Sequence, residues 1–119
     1  MTKAEALALA DYRHAHVPLY NDQKLKLGVF GINCSYGLNI SHAPTSYKVT
    51  WEHTSSIVKR ADAMGFELAL PVARWRGFGG TTDFNGGSFE TYTWAAGLAA
   101  ATTNIMIAAT SHVPTGHPI

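Results

Sequence analysis

The sequence predicts an α/β protein organised on a parallel sheet, and three observations carry that prediction. Short apolar runs at residues 24–32, 67–72 and 104–109 alternate with two stretches of helical composition. Those runs are apolar without a helical period, as expected of strands covered on both faces. The connections between them are long enough for helical crossovers, which join parallel neighbours with right-handed geometry.

The elements follow in order. Residues 2–16 have helical composition, with Ala4, Leu7, Ala8 and Asp11 spaced for a short amphipathic helix that Pro18 ends; this segment is expected to be peripheral. KLKLGVFGI is the first strand, and the Gly-, Asn-, Ser- and Pro-containing stretch after it is a long loop, a kind of segment that tends to carry function. Thr50 is placed to cap the next helix with Glu52 in its first turn, and Ile57, Val58, Ala61 and Met64 give it one apolar face. Gly65 stands where a left-handed helix end belongs, with Phe66 able to fold back on the last turn. ELALPV is the second strand. Ser88 is expected to cap a second helix, whose Ala95, Ala96, Ala99 and Ala100 would allow close approach to the sheet. NIMIAA is the third strand.

Three strands with helices on one side would leave the other face wet, against the apolar character of Val29, Leu70 and Ile107. The chain is therefore expected to be the first part of a larger α/β domain, with residues 116–119 reading as the run-in to a further helix.

Composition narrows the function classes. The chain has 119 residues, 46% of them hydrophobic, and only 14% charged against about 25% in an average soluble domain, so much of its surface is expected to be covered. A net charge of +1 gives no reason to expect nucleic acid or an anionic membrane as partner. The single cysteine, Cys34, excludes an internal disulfide and fits a reducing compartment. The N-terminus has no secretory hydrophobic run, and residues 91–119 carry Thr, Ser, Asn and His throughout, unlike a membrane span. A cytoplasmic soluble protein is the expectation.

In such folds ligands meet the loops beyond the carboxyl ends of the strands. Three ends are visible here: Ile32–Asn33–Cys34, Ala73–Arg74–Trp75 and Thr110–Ser111–His112. The stretch PVARWRGFGGTTDF places two arginines around a tryptophan and then Gly77, Gly79 and Gly80. Guanidinium forks suit a phosphate or carboxylate; the structural alternative is a salt bridge from Arg74 or Arg76 to Glu67, Asp83 or Glu90. GFGG lacks GxGxxG spacing and does not open a helix, so a flexible lid or tight turn fits it better than a nucleotide motif. His112 suits a base or hydrogen-bonding role in a cleft, or a satisfied structural one. Neither His14 with His16 nor His112 with His117 has a third ligand at a useful spacing, so no metal is expected. Cys34 would need His42 or His112 as a base to act as nucleophile; otherwise it is a small apolar filler. Trp75, Phe78, Tyr92 and Trp94 either line a flat aromatic pocket or pack the core.

The segments LGVFGIN…GLNISHAP and RGFGGTTDF…FET…AAGLAAAT resemble the bacterial luciferase-like flavin monooxygenases, in particular the pyrimidine oxygenase and dimethylsulfone monooxygenase subgroup. The resemblance covers residues 24–119; residues 1–23 form an N-terminal extension outside it. It implies the first three or so βα units of a truncated (β/α)8 TIM barrel, a fold of about 250 residues when whole. It also implies reduced FMN supplied by a separate flavin reductase, oxygenation of a small organic heteroatom compound with O2, and a parent homo-oligomer. Ala73 and Arg74 match the segment that contacts flavin, and Thr110 matches the threonine ending the third strand. Ser111 is assigned to the cofactor side and His112 to catalysis by position, with Asn33, Cys34 and Trp75 on the substrate side. A deazaflavin (F420) oxidoreductase and a non-catalytic flavin-binding or dimerising relative share the barrel and remain alternatives. The isolated chain is expected to bind little flavin.

Overall fold

The computed structural model describes residues 1–44 and 47–112, so the helical run-in expected at residues 116–119, and His117 with it, lie outside the described residues. Three strands, β1 (Gly28–Phe30), β2 (Leu68–Leu70) and β3 (Met106–Ile107), pair in the order β1-β2-β3, both pairs parallel. Helices α2 (Trp51–Ala63) and α3 (Thr91–Ala101) are the crossovers. The α/β, parallel-sheet expectation therefore holds, with strands shorter than the apolar runs that announced them.

Register decides what faces what. Val29, Ala69 and Ile107 stand side by side and pack with Val58, Ala61, Trp94, Leu98 and Ile105 from the helices and their flanks. Side chains alternate across a strand, so Phe30, Leu68, Leu70 and Met106 occupy the opposite face, none of them buried and Phe30 50% exposed. Among the described residues both crossover helices lie on one side of the sheet.

Local chemistry explains the helix ends. Thr50 accepts from the His53 amide at 3.2 Å to start α2. At its other end Gly65, at φ 83°, takes the left-handed position, and Phe66 N donates to Ala61 O at 3.0 Å while Gly65 N donates to Asp62 O at 3.0 Å. The cap of α3 differs from the expected one: Glu90, not Ser88, accepts from the amides of Tyr92 and Thr93. Those amides hold the Glu90 carboxyl below its usual pKa. Of the four alanines expected to approach the sheet only Ala95 is buried; Trp94 and Leu98 carry the contact, and Ala96, Ala99 and Ala100 face outward. The N-terminal helix α1 (Lys3–His16) closes its first turn with a Thr2–Glu5 capping box and buries no residue, so it is peripheral as expected.

Two carboxylates secure the amino end of the sheet. Glu67, 2% exposed, accepts from Leu27 N at 2.7 Å. Asp62 accepts from the consecutive amides of Thr103, Asn104 and Ile105 at 2.8, 3.0 and 2.8 Å, fixing the approach to β3. Burial works to raise the Asp62 pKa, and those amides outweigh it, so its carboxyl sits below the usual value.

Candidate functional site at the strand tips

The carboxyl end of β2 is held from both neighbours. From the β1 side, the fully buried Asn33 donates through Nδ2 to Val72 O at 2.9 Å and accepts at Oδ1 from Val72 N at 2.8 Å. Its Nδ2 also reaches Phe89 O at 3.3 Å, joining both tips to the approach to α3. From the β3 side, the Thr110 hydroxyl donates to Pro71 O at 3.4 Å, and His112 Nε2 lies 2.8 Å from Ala73 O. Ser88 Oγ donates to Arg74 O at 2.7 Å, and the Thr91 hydroxyl donates to Thr110 O. Residues 33, 71–74, 88 and 110–112 thus form one connected cluster, bringing together the three strand ends that the sequence singled out.

The side chains around that backbone differ in what they offer. Arg74 is half-buried; its guanidinium carbon sits 4.4 Å from the Phe78 ring centroid, an attractive cation–π arrangement. Its Nε is buried and has no hydrogen-bond partner, and the alternative of a salt bridge to Glu67, Asp83 or Glu90 is not realised. Trp75 is 80% exposed, with its ring 6.4 Å edge-on from His112. Ser111 is exposed between Thr110 and His112. Cys34 is fully buried, its thiol 4.0 Å from Val72 O. Burial raises the thiol pKa, against a smaller opposing effect of Arg74, so the chemistry favours the filler over the nucleophile. His42 pairs with Thr81, not with Cys34. Among the four aromatics, Trp94 belongs to the core, while Trp75, Phe78 and Tyr92 are exposed. No group of three or more His, Cys, Asp or Glu among the described residues is arranged to hold a metal.

The glycine-rich segment is tethered and does not hang free as a lid. Ser35 N donates to Gly87 O at 2.7 Å, Gly87 N donates to Ser35 Oγ at 3.1 Å, and Cys34 and Ser88 form an antiparallel bridge. Asn85, 1% exposed and at φ 57°, donates to Ser35 O at 3.3 Å and Gly37 O at 2.8 Å. Gly79 and Gly80, at φ 69° and 75°, make the tight reversal that glycine permits.

A polar chain supports the β1 tip from below. Trp94 Nε1 donates to Thr54 Oγ1 at 3.1 Å, and the Thr54 hydroxyl donates to Ile32 O at 2.9 Å. Tyr47 OH also donates to Ile32 O, and burial pushes its pKa up to about 12. Sequence reasoning missed Asn85, Thr54 and Thr91 as architects of the site. An asparagine directly before Gly86–Gly87 is a legible sign of a left-handed turn, whereas a hydroxyl inside a helix gives no sign of which carbonyl it will meet.

No protein-family model matches the chain. Individual relatives do. The chain is 43% identical over 94 residues to the pyrimidine monooxygenase RutA of Bradyrhizobium sp., covering 79% of this chain and 26% of that protein. It is 42% identical over 102 residues to the RutA of Cronobacter turicensis, covering 83% of this chain and 27% of that protein. Over the matched segment the chain is similar to pyrimidine monooxygenases. The RutA of Acinetobacter baylyi adds 42% identity over 90 residues. The chain spans about a quarter of the length of these curated relatives. No helix among the described residues is long and apolar enough to cross a membrane.

Proposed function

We propose that this chain supplies the first three βα units of a (β/α)8 barrel that uses reduced FMN and O2 to oxygenate a small organic heteroatom compound, pyrimidines foremost. The observation that carries the reading is the clustering of three strand tips around residues 71–73, directly before Arg74, in a chain that resembles named pyrimidine monooxygenases. The donor set suits FMN. Arg74 has a buried, unpartnered Nε and no acidic partner among the described residues, so an acceptor at that point would satisfy a group otherwise buried at a cost.

In this reading Ala73, Arg74, Thr110 and Ser111 hold the cofactor, which supplies the redox and oxygen chemistry when bound. Arg74 contributes a fixed positive charge, held in place by the Phe78 ring beneath it and by Ser88 on its carbonyl. His112, anchored on Ala73 O and flanked by Trp75, is the group proposed to handle a proton at the mouth. Trp75 excludes water on the substrate side, while Asn33 and Cys34 set the floor of the pocket. A separate flavin reductase, cytoplasmic location and a homo-oligomeric whole protein accompany the proposal.

A hybrid enzyme tests it. The matched segment of a RutA is replaced by the corresponding residues of this chain, and reduced-FMN binding and oxygen-dependent uracil turnover are measured with an added reductase. Turnover that falls at least tenfold on Arg74→Ala is expected. A folded hybrid that binds no reduced FMN, or that binds only a reduced deazaflavin, would overturn the proposal.

A further inference from the structure

Asn85 is followed by glycine, whereas Asn21, Asn33, Asn39 and Asn104 precede Asp, Cys or Ile. With no Cβ on Gly86, its amide nitrogen can approach the Asn85 side chain freely once the chain is released. We infer that Asn85–Gly86 is a latent site of deamidation, held unreactive while the glycine-rich segment is docked, and that its modification releases the segment for good.

The chemistry needs only water. Gly86 N attacks Asn85 Cγ, a C–N bond forms as the Cγ–Nδ2 bond breaks, and the Gly86 N–H proton leaves with Nδ2 as ammonia. Water then opens the cyclic imide at either carbonyl, giving a normal or a β-linked aspartyl residue. In the docked segment both reacting groups are engaged elsewhere. Gly86 N donates to Asp83 O at 2.9 Å, and Asn85 Nδ2 donates to Ser35 O at 3.3 Å and Gly37 O at 2.8 Å. The Asp83 carboxylate lies against Gly86, where its charge opposes the amide anion that attack requires. Asn85 is also 1% exposed, which keeps water from its Cγ.

Opening is nevertheless within reach. Asn85 Oδ1 is buried without a partner, a cost that opening relieves. Within residues 77–87 only Phe84 and Asn85 are buried, and segments with so few buried contacts open at the low end of the local-stability range. After reaction a carboxylate would face Ser35 O and Gly37 O, acceptor against acceptor, and the segment could not redock. The loss reaches Arg74. Phe84 stacks on Phe78 at 5.4 Å and accepts from Phe78 N at 3.1 Å, and Phe78 in turn carries the Arg74 guanidinium. None of these steps involves the proposed cofactor.

Peptide mapping by mass spectrometry tests the inference on the 119-residue chain, aged in mildly alkaline buffer with and without urea. In urea, position 85 should gain the deamidation mass ahead of the other four asparagines, with both aspartyl linkages present. In native buffer it should react at least about tenfold more slowly, because its two hydrogen bonds must first break. Cleavage after the exposed Arg76 by an arginine-specific protease reads the release. Asn85→Asp should speed that cleavage about tenfold by raising the open population. If that variant loses its dispersed NMR spectrum, Asn85→Gly takes its place; it keeps the left-handed turn, loses both bonds without adding charge, and should also be cut faster. Equal reaction at position 85 with and without urea, faster reaction in urea at another asparagine, or unchanged cleavage in the folded variant overturns the inference.

Discussion

Replacing Asn33 by alanine removes three hydrogen bonds from a side chain with no solvent exposure. Val72 N–H loses its acceptor at 2.8 Å, and Val72 O keeps only the Cys34 thiol at 4.0 Å. A buried polar group stripped of its partner costs about 1–3 kcal/mol, and the Phe89 bond at 3.3 Å adds less. The sum is roughly 3 kcal/mol, a large part of the 5–15 kcal/mol that holds a typical domain together. Urea unfolding followed by fluorescence of the buried Trp94 reads it directly. With a denaturant slope of about 1–3 kcal/mol/M, the midpoint should fall by about 1–3 M without a change of slope. Asn33→Asp keeps the volume but turns a carboxylate oxygen toward two carbonyls, so at neutral pH it should be at least as damaging and partly recover in acid. An alanine variant whose midpoint moves by less than about 0.3 M would refute the argument that this side chain joins the strand tips.

Asp62→Ala should cost roughly 2 kcal/mol, since three amide bonds to a charge are lost at a partly solvated position. The folded-state pKa of Asp62 lies below its unfolded value of 3.8, so its contribution is present above about pH 4 and disappears as pH falls through the folded value; the variant should show a flatter acid limb in a stability–pH profile. Gly77→Ala would put its Cβ 2.6 Å from Gly86 Cα and 2.7 Å from Gly86 N, both main-chain atoms, so a loss of about 1–3 kcal/mol in urea titration is expected. Gly97→Ala meets only the Trp51 ring, at 2.7 Å; that ring is 40% exposed and free to swing aside, and helix propensity favours alanine by up to about 1 kcal/mol, so this variant should be near neutral. Equal losses at both glycines would contradict that distinction.

Much of the architecture was legible because it depends on local rules. Thr50 and Gly65 mark the ends of α2 by side-chain and backbone chemistry that acts within one turn. The alternation of apolar runs with helices led to the parallel order, and the three strand ends proved to be joined. What escaped was decided by competition between segments distant in the chain. Ser88 has the chemistry of a helix cap, but its hydroxyl is taken by Arg74 O, leaving Glu90 to cap α3. The alanines of α3 are small enough to approach a sheet, yet Trp94 and Leu98 occupy that face. The glycines suggested a flexible lid or a tight turn; the turn is present at Gly79 and Gly80, but partners some fifty residues earlier hold the segment down, and nothing within it shows their presence.

The grip on residues 71–74 separates two kinds of change at this end of the molecule. Because amides, hydroxyls and an imidazole from other segments hold the peptide groups there, new side chains at positions 74 and 75 would inherit an unchanged scaffold. Exchanging Asn33, Ser88 or Thr110 would instead tilt the platform itself and disturb whatever those positions present. Altering selectivity while preserving the frame thus calls for variation on the gripped strand, not on its holders.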